Sequence, residues 1–260
     1  MGITGETSPR NGPAWTPDGA FPRRSLRVVA TALLTVSGEL LDHLPIGVHQ
    51  PLNIEIELPV GLIDFVQSTG IPHVEVGRIL VDGAETDWSS RVDAGHTVEV
   101  SARYPCETPE PDPRFVLDVH LGRLGRHLRL LGIDADDPPD IDDAAIASEA
   151  SSSGRILLTR DRVLLMRRVI ARGRWIRATD PIEQTAEVLA AFGLAESLCP
   201  FTRCLECNGE LRPVDATEVD VPARVRARHT EFTQCASCHR PYWQGTHYAQ
   251  LEATVRRIIQ

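Results

Sequence analysis

Four of the six cysteines in the 260-residue chain form two pairs with the spacing Cys-x-x-Cys. The pairs are Cys204 with Cys207 and Cys235 with Cys238, and 27 residues separate them. Four thiolates in this pattern are typical of a tetrahedral Zn²⁺ site with sulfur ligands at about 2.3 Å. Because four protein ligands close the coordination sphere, we predict a structural zinc whose binding energy contributes to folding. An iron–sulfur or redox site is the alternative use of these cysteines.

Three aspartates in the middle of the chain are of the right type for phosphodiester hydrolysis. Asp118 and Asp161 each follow a short apolar run, and Asp143 stands at the start of a predicted helix. Converging carboxylates repel each other unless they are protonated or hold a cation, and hard oxygen ligands suit Mg²⁺ or Mn²⁺. Such a metal activates water and stabilises the attacking and leaving oxygens. Turn and helix-capping roles are the alternative, and Asp142 could exchange roles with Asp143.

Five arginines near these aspartates are candidates for binding phosphate groups: Arg123, Arg126, Arg129, Arg160 and Arg162. The first three recur every three residues, opposite the leucines of a predicted helix, and the other two flank the last aspartate. A guanidinium group binds phosphate through two parallel hydrogen bonds, which favours arginine at such sites. A solvated helix face is the alternative explanation of the first three.

The elements that must position these residues are predicted from hydrophobic periodicity. Residues 114–119 and 155–159 are apolar runs typical of buried strands, and each precedes a segment with helical character. Strands joined by helices form parallel sheets, and ligands bind at the carboxyl ends of such strands. We therefore expect the three aspartates to lie near one edge of a parallel sheet.

The earlier part of the chain has a different pattern. Strands are predicted at residues 26–34, 53–58, 76–81 and 97–102, with a helix at 60–67. This block, through GIPH at 70–73, ILVDG at 79–83 and DAGHTV at 93–98, resembles a ubiquitin-like protein of the sulfur-carrier kind. The resemblance implies a β-grasp fold. Sulfur carriers end in Gly-Gly, whereas this block continues through Arg103-Tyr104-Pro105, so we expect it to dock a protein partner or position a substrate.

Composition and charge limit the function classes. The chain has 42% hydrophobic and 24% charged residues, which excludes a disordered protein. No apolar run reaches the roughly 18–20 residues that cross a bilayer, and no signal-peptide pattern is present, so we predict a cytoplasmic protein without a membrane partner. The net charge is −9, although all 27 basic residues are arginine. This balance disfavours tight general binding of nucleic acid and favours local, salt-sensitive contacts.

The rest of the chain resembles the Mut-seven C-terminal ribonuclease domain family. The motifs are FVLDVHLGRL at 115–124, LRLLGID at 128–134, GRILLTRDR at 154–162 and RCLECNG at 203–209, and the resemblance extends from residue 115 to about 251. It implies a PIN-like nuclease fold with a zinc ribbon, RNA as substrate and an acidic site at Asp118, Asp143 and Asp161. A fourth acid is common in PIN sites, and Asp180 is a candidate besides being a turn residue before a proline.

Aromatic and basic residues near the second cysteine pair leave two explanations open. Stacking on unpaired bases and packing against the ribbon both suit Tyr242, Trp243 and Tyr248. Phosphate binding and a solvated strand face both suit the alternating Arg224, Arg226 and Arg228.

The sequence therefore predicts an α/β protein of three domains. We expect a flexible tail at 1–24, a ubiquitin-like β-grasp domain at 25–104, a linker at 105–113, a PIN-like domain at 114–200 and a zinc ribbon at 201–260. The predicted function is hydrolysis of RNA phosphodiesters by aspartates that hold Mg²⁺ or Mn²⁺. The alternative is a non-catalytic RNA-binding adaptor whose ubiquitin-like domain docks a partner protein.

Overall fold

The computed structural model describes residues 30–139 and 141–259, so the predicted tail at 1–24 lies outside the described residues. The strands are β1 (Thr31–Ser37), β2 (Leu52–Glu55), β3 (Val60–Gly61), β4 (Val76–Val81), β5 (Ala84–Glu85), β6 (Arg91–Val92), β7 (Thr97–Ala102), β8 (Arg114–Leu117), β9 (Asp134–Asp136), β10 (Ile156–Thr159), β11 (Gly173–Trp175), β12 (Leu211–Val214), β13 (Phe232–Cys235) and β14 (Pro241–Trp243). The α-helices are α1 (Leu62–Gln67), α2 (Gly122–Leu130), α3 (Asp143–Ser153), α4 (Arg162–Leu165), α5 (Pro181–Phe192), α6 (Ala223–Arg226) and α7 (Thr246–Ile259). Short 3₁₀ helices cover Gly38–His43, His73–Glu75 and Val119–Leu121.

The N-terminal unit, residues 30–104, is built on a five-stranded sheet with the order β2-β1-β7-β4-β5. Strand β1 pairs parallel with β7, and the remaining neighbours pair antiparallel. Strands β4 and β7 have the predicted bounds. Helix α1 begins two residues later than predicted because residues 60–61 pair with β6 as a strand. The buried side chains of this sheet and α1 form one apolar core, which includes Leu34, Phe65 and Val98.

The central sheet has the order β11-β10-β8-β9, and every pair of neighbours is parallel. The leucine stripe predicted for α2 is buried, with Leu124 and Leu128 fully enclosed beside Phe115 and Phe192. The helix ends before Gly132, whose φ is +86°, and a side chain there would collide with the carbonyl oxygen of Cys199. Because the four strands are parallel, their carboxyl ends share one edge of the sheet, as the sequence predicts.

The cysteine segment, residues 201–259, contains the antiparallel sheet β12-β13-β14 and helix α7. Its own core is small and consists of Val219, Val221 and Phe232 with partly buried neighbours. In contrast, Leu205, Val255 and Ile258 belong to the core of the central sheet.

The strand predicted at residues 224–228 is wrong, because residues 223–226 form helix α6. The alternation of arginines therefore does not place them on one side of a strand.

The N-terminal unit packs directly against the central sheet. Its 3₁₀ helix His73–Glu75 lies beside β11, and Val74 joins a buried cluster with Val116 and Leu157. Side chains from both units are buried at this contact, and their packing holds the two units together. No helix in the described part of the chain is both long and apolar enough to cross a bilayer.

Candidate functional site

The four cysteines converge on one point, where their sulfur atoms all lie within 4.8 Å of one another. The Sγ atoms of Cys204 and Cys238 are 3.7 Å apart, and those of Cys207 and Cys235 are 3.4 Å apart. A tetrahedral zinc with sulfur ligands at about 2.3 Å requires sulfur–sulfur separations of roughly 3.8 Å. The donor set and its spacing therefore fit zinc.

The four sulfurs differ in their surroundings, which lower the pKa of Cys204 and Cys235 and raise that of Cys207 and Cys238. The Tyr242 hydroxyl lies 3.1 Å from Cys204 Sγ, and it accepts a hydrogen bond from the Leu205 N–H. Burial opposes ionisation of Cys204, but the Tyr242 hydroxyl and nearby backbone N–H groups outweigh it and lower the pKa of Cys204 to about 7. Gly209 leaves room for the cluster, because a side chain there would lie 2.8 Å from Cys235 Sγ.

Asparagine 208 joins the first cysteine pair to the central sheet. Its φ is +63°, a conformation that asparagine adopts more readily than most residues. The side-chain oxygen accepts a hydrogen bond of 3.1 Å from the Ala135 N–H, and the side-chain nitrogen donates one of 2.7 Å to Asp134. Asp134 also binds Arg155 at 2.5 Å and Arg203 at 3.3 Å. Burial opposes ionisation of Asp134, but these donors outweigh it and lower its pKa. The cysteine cluster and β9 are thus held together by largely buried polar contacts.

A second constellation lies at the carboxyl ends of β8 and β10. Asp118 is 8% exposed, and its two carboxylate oxygens accept hydrogen bonds from the His120 N–H at 2.8 Å and the Thr159 hydroxyl at 2.6 Å. The same hydroxyl accepts a hydrogen bond of 2.9 Å from the Asp161 N–H. Thr159 therefore connects the two aspartates that end the neighbouring strands. A carboxylate oxygen has two lone pairs, so Asp118 retains acceptor capacity for a metal or a water.

The structure places the other acidic candidates in different roles. Asp161 is exposed and caps α4 through the Val163 N–H. Asp142 caps α3, which leaves the exposed carboxylate of Asp143 outside the capping interaction. Asp180 caps α5. A group of three or more metal-binding side chains can hold a metal when their ligand atoms lie within 4.8 Å of one another. Among the described residues, the four cysteines form such a group, and the three predicted aspartates do not.

The five arginines predicted to bind phosphate fall into three environments. Arg123 and Arg126 are exposed on α2, and Arg126 binds Glu206 at 3.0 Å. Arg129 departs from the predicted stripe, because it is 3% exposed and binds the Asp137 carboxylate and the Ala135 carbonyl. Arg129 lies on the side of α2 that packs over β9. The three-residue spacing of the arginines therefore does not by itself place all of them on the exposed face of the helix.

The other two arginines lie beside Asp161 and are exposed. Arg160 donates to the carbonyl oxygens of Arg177 and Ala178. Arg162 packs over the Trp175 ring at 5.2 Å and donates a hydrogen bond of 3.5 Å to the His43 carbonyl. The contact of Arg162 with His43 brings the N-terminal unit to the edge of the sheet that carries Asp161.

An ionic network between the two units includes residues that the sequence pattern did not indicate. Glu75 is 2% exposed and accepts hydrogen bonds from the Trp175 N–H at 2.8 Å and from His43 at 2.5 Å. Arg177 binds Glu75 at 3.4 Å and Asp42 at 2.8 Å. Burial opposes ionisation of Glu75, but His43, Arg177 and the Trp175 N–H outweigh it and lower its pKa.

The network continues to Arg174, which is 2% exposed and binds Glu39 at 2.9 Å and Glu187 at 3.2 Å.

The sequence carries a signal for two of the buried residues described above, Glu75 and Thr159. Glu75 interrupts the apolar segment 74–76, and Thr159 ends the apolar segment 156–158. A polar residue buried among apolar neighbours needs a partner, and that requirement marks such positions.

Comparison with known families agrees with this geometry. The model of the Mut7-C RNAse domain matches residues 113–255, and the model of the Mut7-C ubiquitin domain matches residues 30–109. No curated protein and no solved structure matches the chain. The order of the two matches confirms the resemblance predicted from the sequence. The chain therefore belongs to the Mut7-C RNAse domain family and carries a Mut7-C ubiquitin domain in front of its RNase domain.

Proposed function

We propose that the protein is a metal-dependent ribonuclease whose active site is the carboxyl edge of the central sheet. The observation that carries the proposal is the buried Asp118 carboxylate, which Thr159 links to the backbone N–H of Asp161, in a domain of an RNase family. A buried carboxylate held by two donors is pre-oriented, which is what a metal or water ligand requires. The family membership supports RNA as the substrate.

Asp118 and Asp161 supply oxygen ligands of the kind that Mg²⁺ and Mn²⁺ prefer, and such a metal would activate water for attack on phosphorus. Asp143 is proposed as a third acid that joins when metal and RNA bind. Thr159 holds the Asp118 carboxylate in one orientation, and the His120 N–H fixes its second oxygen. The exposed cations Arg123, Arg126, Arg160 and Arg162 are proposed to bind the RNA backbone. Arg129 is no longer a candidate, because its guanidinium is occupied by Asp137.

The two finer fold assignments belong to the same proposal. The order β2-β1-β7-β4-β5 with a parallel central pair supports a β-grasp assignment for the N-terminal unit. The four parallel strands with acids at their carboxyl ends support a PIN-like assignment for the RNase domain. The four-cysteine cluster supports a zinc ribbon, with Cys204, Cys207, Cys235 and Cys238 as ligands.

A non-catalytic RNA-binding adaptor is the second candidate function. It is favoured by the observation that the three aspartates do not converge within 4.8 Å of one another, because separated carboxylates hold a divalent cation less tightly than a convergent set. In that case the ubiquitin-like domain would dock a partner protein through the surface that it leaves exposed.

Cleavage of a mixed RNA pool in Mn²⁺ separates the two functions. We expect the wild-type protein to cleave and the Asp118→Asn/Asp161→Asn double variant to lose cleavage, with an Asp220→Asn variant, exposed in the cysteine segment, as the matched control. Asp143→Asn tests the third acid separately. Zinc content and thermal unfolding verify that each variant is folded. Equal cleavage by wild type and double variant would contradict the proposal, and no cleavage by folded wild type would favour the adaptor.

A further inference from the structure

A groove of about 1170 Å³ lies between the cysteine segment and helix α2. One wall belongs to the core of the RNase domain and carries Phe201, Tyr242 and Leu251, while the other belongs to the small core around Phe232 and carries Trp243. Because two separate cores meet here, the aromatic rings at the boundary are only partly buried. Packing alone therefore does not enclose these rings.

The aromatic rings of the groove are held in defined positions. Phe201 and Tyr248 stack with their ring centroids 4.6 Å apart and an angle of 26° between the planes. The indole of Trp243 lies against Gly245, where an added side chain would come within 2.7 Å of Nε1. Rings that are rigid before binding lose little entropy when a flat ligand stacks on them. The size and the lining suit a planar aromatic ligand.

Cationic groups concentrate at the end of the groove near α2. Arg126 and Arg240 line this end and share the single carboxylate of Glu206, at 3.0 Å and 3.8 Å. Arg123 is exposed one turn earlier on the same helix. Two guanidinium groups thus share one carboxylate at this end, and Glu231 also lines the groove. The local excess of positive charge around Glu206 complements a phosphate.

Helix α2 links the groove to the proposed active site, because Arg126 of this helix lines the groove. This helix begins four residues after Asp118, and its residues rise about 1.5 Å each toward Arg126. We propose that the groove binds unpaired nucleotides of a single-stranded RNA, with bases stacked on the aromatic rings and the backbone following Arg240, Arg126 and Arg123 toward Asp118. This assignment deepens the proposed ribonuclease function and rests on it for the direction of the strand. Stacking needs exposed base faces, so duplex RNA is expected to bind weakly.

Binding is measured in the Asp118→Asn/Asp161→Asn background, so that cleavage does not interfere, with a short labelled oligouridylate as the probe. We expect Tyr248→Ala and Arg240→Gln each to weaken binding about tenfold, because a stacked base or a phosphate contact is lost. Arg257→Gln, on the exposed last turn of α7, is the matched control. Arg240 is exposed, so its variant remains informative if Tyr248→Ala fails to fold.

Tryptophan fluorescence locates the bound probe. Trp243→Phe should retain binding but lose most of the quenching that oligouridylate causes, whereas Trp88→Phe, in the ubiquitin-like domain, should retain it. Unchanged affinity in both Tyr248→Ala and Arg240→Gln would overturn the inference, as would equal binding of duplex and single strand. A change of oligomeric mass in Tyr248→Ala without a change in RNA affinity would instead assign the groove to a second copy of the chain. Absence of cleavage by the wild type would contradict the ribonuclease proposal and leave the binding result intact.

Discussion

The buried carboxylate of Asp118 accepts a hydrogen bond of 2.6 Å from the hydroxyl of Thr159. Thr159 ends a strand whose other residues are apolar and fully buried, so this hydroxyl is the polar group that β10 delivers next to Asp118. This bond joins the ends of β8 and β10, and the same hydroxyl accepts a second hydrogen bond from the Asp161 N–H two residues along the chain. The geometry of the proposed site therefore depends on one threonine.

Replacement of Thr159 by valine keeps the shape of the side chain and removes both hydrogen bonds. We expect the free energy of unfolding to fall by about 1–3 kcal/mol, because buried polar groups lose their partner. Cleavage should fall roughly ten- to a hundredfold, because Asp118 loses its fixed orientation. Thr159→Ser restores the hydroxyl and should recover most of the activity. Equal activities of the valine and serine variants would show that the hydroxyl does not position the site.

The depressed pKa of Glu75 predicts how the contact between the two domains responds to acid. A carboxylate whose pKa is lowered by folding stabilises the folded state fully above its ordinary value of 4.5, and this stabilisation is lost as the pH falls below it. Glu75→Gln should reduce the free energy of unfolding at pH 7 by about 1–4 kcal/mol, because Arg177 and His43 lose a buried partner. The difference from wild type should shrink as the pH is lowered below 4.5.

Urea unfolding at several pH values checks this prediction. Glu85→Gln is the matched control, because Glu85 pairs with Arg78 on the exposed surface of the same domain. An exposed pair contributes little to stability. If the two variants showed the same pH dependence, the interdomain position of Glu75 would not be the cause.

The contacts of Asn208 predict that the zinc cluster and the RNase sheet are coupled. Asn208→Gly retains the positive φ and removes the hydrogen bonds to Ala135 and Asp134, so we expect a loss of about 1–3 kcal/mol in the free energy of unfolding. Asn208→Ala should cost more, because it also strains the backbone.

Zinc removal provides an independent measurement of the same coupling. A chelator should lower the unfolding temperature of the whole RNase domain, since Leu205 and Val255 belong to its main core. A change confined to residues 201–259 in hydrogen exchange would argue against the coupling.

The three arginines of α2 are expected to respond differently to substitution. Arg123→Gln and Arg126→Gln should weaken RNA binding and reduce the salt dependence of the binding constant by about one phosphate contact each. Arg129→Gln should leave this slope unchanged and reduce stability by about 2–4 kcal/mol, because Asp137 loses a largely buried partner. Binding titrations across a range of salt, together with urea unfolding, separate the two effects. A reduced salt slope for Arg129→Gln would contradict its structural assignment.

Local periodicity and residue spacing were sufficient to predict several strands and helices of this protein and its cluster of cysteines. Alternating and helical patterns placed β4, β7 and the buried leucines of α2, and two Cys-x-x-Cys pairs identified the cluster of four cysteines. These predictions succeeded because periodicity and ligand spacing depend on residues close together in the chain. The family was recognisable for the same reason, since its motifs are short continuous segments.

Tertiary structure decided which of these residues meet. The inward position of Arg129 follows from how α2 packs on the sheet. The Glu75 network joins residues about 100 positions apart, such as Glu75 and Trp175. Such contacts depend on the relative placement of whole helices and strands, which no local sequence pattern encodes. The partners of buried polar groups can therefore be identified only when that placement is known.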